Sequence, residues 1–258
     1  MKWIALIMGT LYQITHFLPE ISPLWLSATG RVFGPISFAL FAYQSVVSCR
    51  KTRSLAAYFF RLAGVATVTQ IILERVMAIT GFEMSPNILI TYCLGIMMSV
   101  GLDLCVAGLK KEEGDRPIKV HELTMSRKQS LYLGASLMVM SGALTLAISP
   151  TYSYYGVLTY LVLHVIDQYE NRELAAGKPQ PGNSATRFWV SMTSVNLLWI
   201  AYNLYTGLLI PEDAIVYLFS VAAVPAFSRI AKEKESRAVE KWFFYLYYPL
   251  HFLAFLLV

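Results

Sequence analysis

Residues 86–108 read PNILITYCLGIMMSVGLDLCVAG, a stretch whose only charged side chain is Asp103. A helix that crosses a bilayer needs about 17–25 predominantly apolar residues, and this run has that length. Working outward from it, comparable stretches lie at 2–18, 24–48, 54–80, 129–148, 152–169, 188–207, 212–228 and 242–258. Lipid offers the backbone no hydrogen-bonding partner, so segments of this kind must satisfy their N–H and C=O groups internally as helices. The expected fold is all-α, a polytopic transmembrane bundle of about nine spans in a single membrane-embedded domain, 1–258.

Composition points the same way. The chain is 56% hydrophobic and 14% charged, against about 25% charged residues in ordinary soluble domains. Its mean hydropathy is +0.53. A soluble domain is excluded. The first stretch begins at residue 2 and has no small-residue cleavage site, so it reads as a retained span rather than a removed signal peptide.

Charge is distributed by side. Cys49–Arg53, Leu109–Lys128, Tyr169–Arg187 and Ser228–Lys241 hold all but four of the 21 Lys and Arg. The turns at Pro19–Pro23, Thr80–Pro86, Ser149–Tyr152 and Gly207–Asp213 hold none, and carry Glu20, Glu83, Glu212 and Asp213 instead. Basic loops stay cytoplasmic, so nine spans put the N-terminus inside and the C-terminus outside. The net charge of +5 then reflects membrane sidedness, and no nucleic-acid partner is expected. The basic loops read as solvated connectors, with Arg229–Lys241 as a possible surface helix of alternating charge. Cys49, Cys93 and Cys105 are too scattered for a disulfide framework or a metal cage and read as reduced thiols.

Ionisable residues within spans are the informative ones, because a charge at the bilayer centre costs roughly 2.5–3.5 kcal/mol on insertion scales and needs a partner or water. Here they are His16, Arg31, Arg61, Glu74, Arg75, Asp103, His164, Asp167 and His251, with the polar Gln13, Gln70, Asn87 and Asn196. Arg31 lies in Gly30-Arg31-Val32-Phe33-Gly34-Pro35, where the glycines permit close helix approach and Pro35 frees a carbonyl. That combination suits an anion or carbonyl site, unless Arg31 snorkels to the headgroups. Tyr12, Gln13 and His16 share one face of the first helix. Glu74 and Arg75 read as an interfacial ion pair, which Gln70 extends inward by one turn. His164 and Asp167 share a face at a membrane exit, where a structural role is expected. His251 follows Tyr245-Leu246-Tyr247-Tyr248-Pro249-Leu250; its imidazole has the chemistry of a general base, or of a buried histidine bonded between helices. The chain has no Gly-rich phosphate loop, no paired Cys–His metal spacing and no G-x-S-x-G elbow, so nucleotide hydrolysis, metal chemistry and serine hydrolysis are unsupported.

These polar positions fall in an order that resembles the TraX family of membrane proteins. The residues carrying the resemblance are Lys2-Trp3-Ile4-Ala5-Leu6-Ile7-Met8, Gly30-Arg31-Val32-Phe33-Gly34-Pro35 with Phe38, then Thr52-Arg53, Tyr58, Arg61 and Gln70. Asn87-Ile88-Leu89-Ile90-Thr91 with Gly95, and Phe244-Tyr245-Leu246-Tyr247-Tyr248-Pro249-Leu250-His251, complete it. Residues 105–235 match in hydropathy and around Tyr155-Gly156 only.

The resemblance implies an acyl-CoA-dependent acyltransferase of the bacterial inner membrane, related to the type 3 membrane acyltransferases. Its acceptor would be the amino terminus of a pilin, or a glycan or lipid. Acetyl-CoA would be co-substrate, without a metal. Arg31 and His251 would form the core of the site, with His251 deprotonating the acceptor and Arg31 steadying the oxyanion. Arg53 and Arg61 would meet the CoA phosphates, and Gln70, Asn87, Tyr248, Gln13 and Tyr12 would line the substrate path. Arg31, Arg61, Gln70, Asn87 and His251 are expected to converge on one cavity. One departure stands out: the family's Asp-His pair on the first helix is replaced by Tyr12-Gln13. Three readings stay open, in which His16 substitutes, His251 acts alone, or the chain binds without transferring. The rival to an enzyme is a transporter or a lipid- or anion-binding membrane protein using the same cations.

The nine-span topology predicts that single-cysteine variants at His121 and Gly182 react with an impermeant thiol reagent only from the cytoplasmic side. Variants at Ser85 and Asp213 should react only from outside. Labelling of Asp213→Cys from within would remove the model.

Overall fold

The computed structural model describes residues 1–17, 22–81, 85–110, 117–176, 184–207, 215–232 and 238–254. Each apolar stretch carries a helix there: α1 Lys2–Phe17, α2 Leu24–Lys51, α3 Leu55–Thr80, α4 Ile88–Leu109, α5 Arg127–Ile148, α6 Ser153–Ala175 and α7 Ser184–Thr206. A 3-10 segment, Tyr217–Ala223, then leads into α8 Val224–Lys232, and α9 spans Ala238–Ala254. Four of these are long and apolar enough to cross a membrane: Thr29–Lys51, Leu55–Ile79, Ile88–Leu109 and Arg127–Ile148. Glu20, Glu83, Gly182, Glu212 and Asp213 lie outside the described residues.

The fold is helical, as expected, with one short addition. The connector after α4 contains an antiparallel hairpin, β1 Ile118–Val120 paired with β2 Leu123–Met125. His121 and Glu122 form its two-residue turn, with His121 at φ 54. Two boundaries also moved. The eighth stretch is divided between a 3-10 and an α-helical segment, and α8 runs on to Lys232. α6 extends to Ala175, because Asp167, Glu170 and Asn171 find partners and so remain in helix.

Local chemistry sets several helix ends. Ser54 caps α3, its hydroxyl accepting from the Ala57 N–H, and Gly81 closes the helix at φ 72, in the left-handed region open to glycine. Ser126 and Gln129 form a reciprocal capping box at the start of α5. Asn87 caps α4 and accepts from the Leu89 N–H.

The residues group into two compact units, Met1–Ser48 with Val162–Lys234, and Cys49–Leu161 with Glu235–Val258. In the first, α1 meets α2 where the Ser37 hydroxyl donates to the Ala5 carbonyl at 2.8 Å. Tyr43 of α2, Phe188 of α7 and Phe227 of α8 pack ring against ring, with centroids 4.5–5.1 Å apart. Asn196 of α7 donates to Ser220 of the 3-10 segment at 2.9 Å. The C-terminal end of α6 is a buried polar network. Tyr43 donates to Asp167 at 3.0 Å, Asn171 donates to the same carboxylate, and Arg187 pairs with Glu170 at 2.9 Å.

In the second unit, α4 and α5 pack backbone to backbone, as small residues allow where burial of apolar surface cannot drive association. A Cβ placed on Gly134 would come within 2.6 Å of the Gly101 carbonyl and 2.8 Å of the Cys105 backbone nitrogen. The Ser130 and Ser141 hydroxyls donate across the same seam to the carbonyls of Leu104 and Leu94, each at 2.8 Å. α3 packs on α4 and α9 on α3. Near the ends of α3 and α4, Asn87 donates to the Ala66 carbonyl at 2.9 Å and to Gln70 Oε1 at 3.0 Å. Thr151 donates to the Pro86 carbonyl at 2.8 Å and joins the α5–α6 turn to that corner.

Gly134→Ala should lower stability by about 1–3 kcal/mol, the usual cost of overpacking, because the opposing atoms are backbone and cannot swing aside. Gly142→Ala, where an added Cβ meets nothing within 4 Å, should leave the melting temperature unchanged or slightly raised. Thermal unfolding of the two variants in detergent measures the difference.

Candidate functional site

Helix α9 presents the sequence Tyr245-Leu246-Tyr247-Tyr248-Pro249-Leu250-His251 to the second unit. Pro249 lacks an N–H, so the Tyr245 carbonyl one turn earlier loses its helical donor. His251 is 9% exposed. Its ring stacks on Tyr247, with centroids 5.3 Å apart and an interplanar angle of 12°, meets Tyr248 edge-on at 5.1 Å, and contacts Phe252 at 4.1 Å. Nδ1 lies 3.1 Å from the Tyr247 carbonyl. A carbonyl only accepts, so Nδ1 carries the proton, and the neutral imidazole keeps its lone pair on Nε2. This tautomer is the one a general base requires if Nε2 faces the acceptor.

Tyrosines and one arginine surround this segment within the unit. Tyr245 is hydrogen-bonded to Arg61 of α3. Tyr92 of α4 is buried and lies close enough to Tyr58 and Tyr248 to interact electrostatically with both. Tyr160 of α6 contacts Cys49 with an oxygen–sulfur distance of 3.6 Å and packs its ring against Tyr92 at 6.5 Å. Cys93 neighbours Cys49. A Cβ on Gly95 would strike the Tyr160 ring, so this residue is glycine because α6 approaches α4 closely there. The three cysteines are free thiols.

Among the residues singled out in the sequence, Arg61, Tyr248 and His251 therefore belong to one aromatic cluster on α3, α4 and α9. Arg53 is exposed immediately before the cap of α3. Gln70 and Asn87 form a separate corner, since Gln70 stands about 14 Å along α3 from Arg61 at 1.5 Å per residue. Gln70 Oε1 accepts from Asn87, while its amide donates to Glu74 at 3.2 Å. Both Asn87 amide hydrogens and its carbonyl are engaged with α3 and α4, so this residue braces helices.

The other group lies in the first unit. Tyr12 and His16 stack on α1 with centroids 6.0 Å apart, and both feel the charge of Arg31 on α2. Arg31 and His16 are exposed, and Gln13 is half-buried on the same helix. Gly30 faces Thr15 so closely that a Cβ would overlap its side chain, and this approach brings Arg31 beside α1. His164 is buried next to Gln168, 3.2 Å away, and Asp167 belongs to the Tyr43 network, as the structural expectation had it.

Tyr245, Tyr58, Tyr92 and Cys49 were not identified as part of this cluster from sequence. A signal existed for Tyr245: an arginine within an apolar stretch requires a polar partner, and the run before His251 holds three tyrosines.

The family model described as TraX protein matches residues 1–258. No curated protein matches, and no solved structure does. With the match running from end to end, over helices of membrane-crossing length, the chain is a membrane protein that belongs to the TraX family.

Proposed function

We propose that this protein is a membrane-bound acyltransferase that moves acetyl, or another acyl group, from acyl-CoA to an acceptor amine such as a pilin amino terminus. Its setting is the bacterial inner membrane, with nine spans, the N-terminus inside and the C-terminus outside. Family membership fits a pilin-modifying membrane protein. The observation that carries the chemistry is the His251 imidazole, held by Nδ1 against the Tyr247 carbonyl and packed against the Tyr247 and Tyr248 rings.

In this reading the acceptor nitrogen attacks the thioester carbonyl and the carbonyl oxygen takes on negative charge. The C–S bond then breaks, and CoA leaves as a thiol. The proton released from nitrogen passes to His251 Nε2, and from there to the departing sulfur. A cation would stabilise the oxyanion as charge develops, the role that the family resemblance assigns to Arg31. Arg53 and Arg61 meet the phosphates of the donor at the cytoplasmic mouth. Tyr248 lines the path beside His251, and Tyr12 and Gln13 do so with His16 on α1. With Tyr12-Gln13 in place of the family's Asp-His pair, His251 is the base and His16 an accessory.

General-base catalysis contributes about 10²–10⁴-fold, so His251→Ala should lower acyl transfer by that order while His16→Ala lowers it much less. The measurement is release of free CoA from acetyl-CoA by purified protein with pilin peptides and other amine or hydroxyl acceptors. Undiminished turnover by His251→Ala would assign the proton to another residue. Absence of turnover by the unmutated protein with every acceptor would favour anion binding or transport.

A further inference from the structure

Helix α3 packs on α4 and α9 and leaves a second face exposed along its length. Ala57, Phe60, Gly64, Thr67, Ile71 and Glu74 are all exposed on it, and they follow one another at alternating intervals of three and four residues. That is the spacing of a seam between two helices crossing at about 20°. Lipid chains suit Phe60 and Ile71, but they do not suit the charges at the end of the line.

Glu74 and Arg75 lie about 30 Å from the start of α3, at the far edge of a hydrocarbon layer of about that thickness. Consecutive residues on a helix do not face each other, so the two do not pair. Glu74 accepts from the neutral Gln70 amide at 3.2 Å, which leaves its charge without a cation. Arg75 is exposed and has no hydrogen bond or ion pair among the described residues. One anion and one cation therefore stand side by side on the seam, each lacking the other's sign of partner. Gly64, nearer the middle of the seam, has no reason within the chain to be glycine. An added Cβ there meets nothing within 4 Å, and glycine in a helix interior is destabilising relative to alanine. It does permit a second helix to approach closely from outside.

We propose that this face of α3 joins two copies of the chain. The charges identify the occupant, because the face is complementary to itself. A two-fold axis along the membrane normal sets the two α3 helices parallel, with each residue at the depth of its counterpart. In a parallel seam of this spacing, a seam residue packs beside the residue that follows its counterpart on the facing helix. Glu74 of each copy thus meets Arg75 of the other, and the ion pair is made twice. Gly64 lies opposite Gly64 and lets the helices close. This association is independent of the acyltransferase reading.

The test is energy transfer between donor- and acceptor-labelled copies of the full-length protein in lipid vesicles, over a range of protein-to-lipid ratios. The unmutated protein should show a monomer–dimer equilibrium. Glu74→Arg alone and Arg75→Glu alone should each weaken it by about 2- to 30-fold, as expected for losing two exposed ion pairs. The double variant, which exchanges the two charges, should restore it. Gly64→Leu should weaken association while leaving the melting temperature unchanged, since the position is open within the chain. A protein that stays monomeric at every ratio would show that lipid alone covers the face, and the proposal would be refuted. A dimer indifferent to both single reversals, or a double variant no tighter than the single ones, would refute it equally.

Discussion

A polar side chain on a helix of membrane-crossing length has few places to go. Left unpaired in an apolar surround it costs several kcal/mol, so it must meet another polar group at a helix contact, and that meeting fixes how the helices sit. Asn87 and Gln70 join α4 to α3, Asn196 and Ser220 join α7 to the 3-10 segment, and Tyr43 and Asp167 join α2 to α6. Arg61 and Tyr245 join α3 to α9. The last two pairs lie between elements remote in sequence. Together they specify neighbours that apolar packing alone would leave nearly equivalent, since lipid is as good a partner for leucine as another helix is.

The cluster around His251 depends on this bracing. Tyr92 has its place because α4 is fixed in depth at Asn87 and in lateral distance by the glycine seam with α5. Tyr248 and His251 have theirs because α9 rests on α3. A loss of bracing would displace the tyrosines relative to the imidazole without touching either, and a shift of about 1 Å in a catalytic arrangement can cost about a hundredfold in rate. Corner residues such as Asn87 therefore set the geometry of the cluster, whatever they contact directly.

The positions of the helices were legible because apolar length is a strong and local signal, and all nine stretches carry helix among the described residues. The setting of His251 was legible for the same reason: Pro249 and the tyrosines that shape it are its neighbours in sequence. The partners of Arg61 and Asp167 were not, since Tyr245 and Tyr43 stand far from them along the chain and only the fold brings them close. The end of α6 was misjudged because Asp167, Glu170 and Asn171 resemble a departure into water until Tyr43 and Arg187 are seen to receive them. The hairpin escaped notice because its two short strands, in a connector full of charge, give too brief an alternation to read.

Helix α3 concentrates these effects, and its two ends differ in kind. At Asn87 the bonds run between neutral amides and backbone, and Gln70 links them to Glu74. At Ser54 the helix begins beside the Glu122 carboxylate, where the helix dipole adds positive charge and the interactions are screened by salt. One end is held by neutral bonds and the other by a charged one. Between them the same helix carries Arg61 to Tyr245, so a shift at either end would reach the segment bearing His251 through one rigid element.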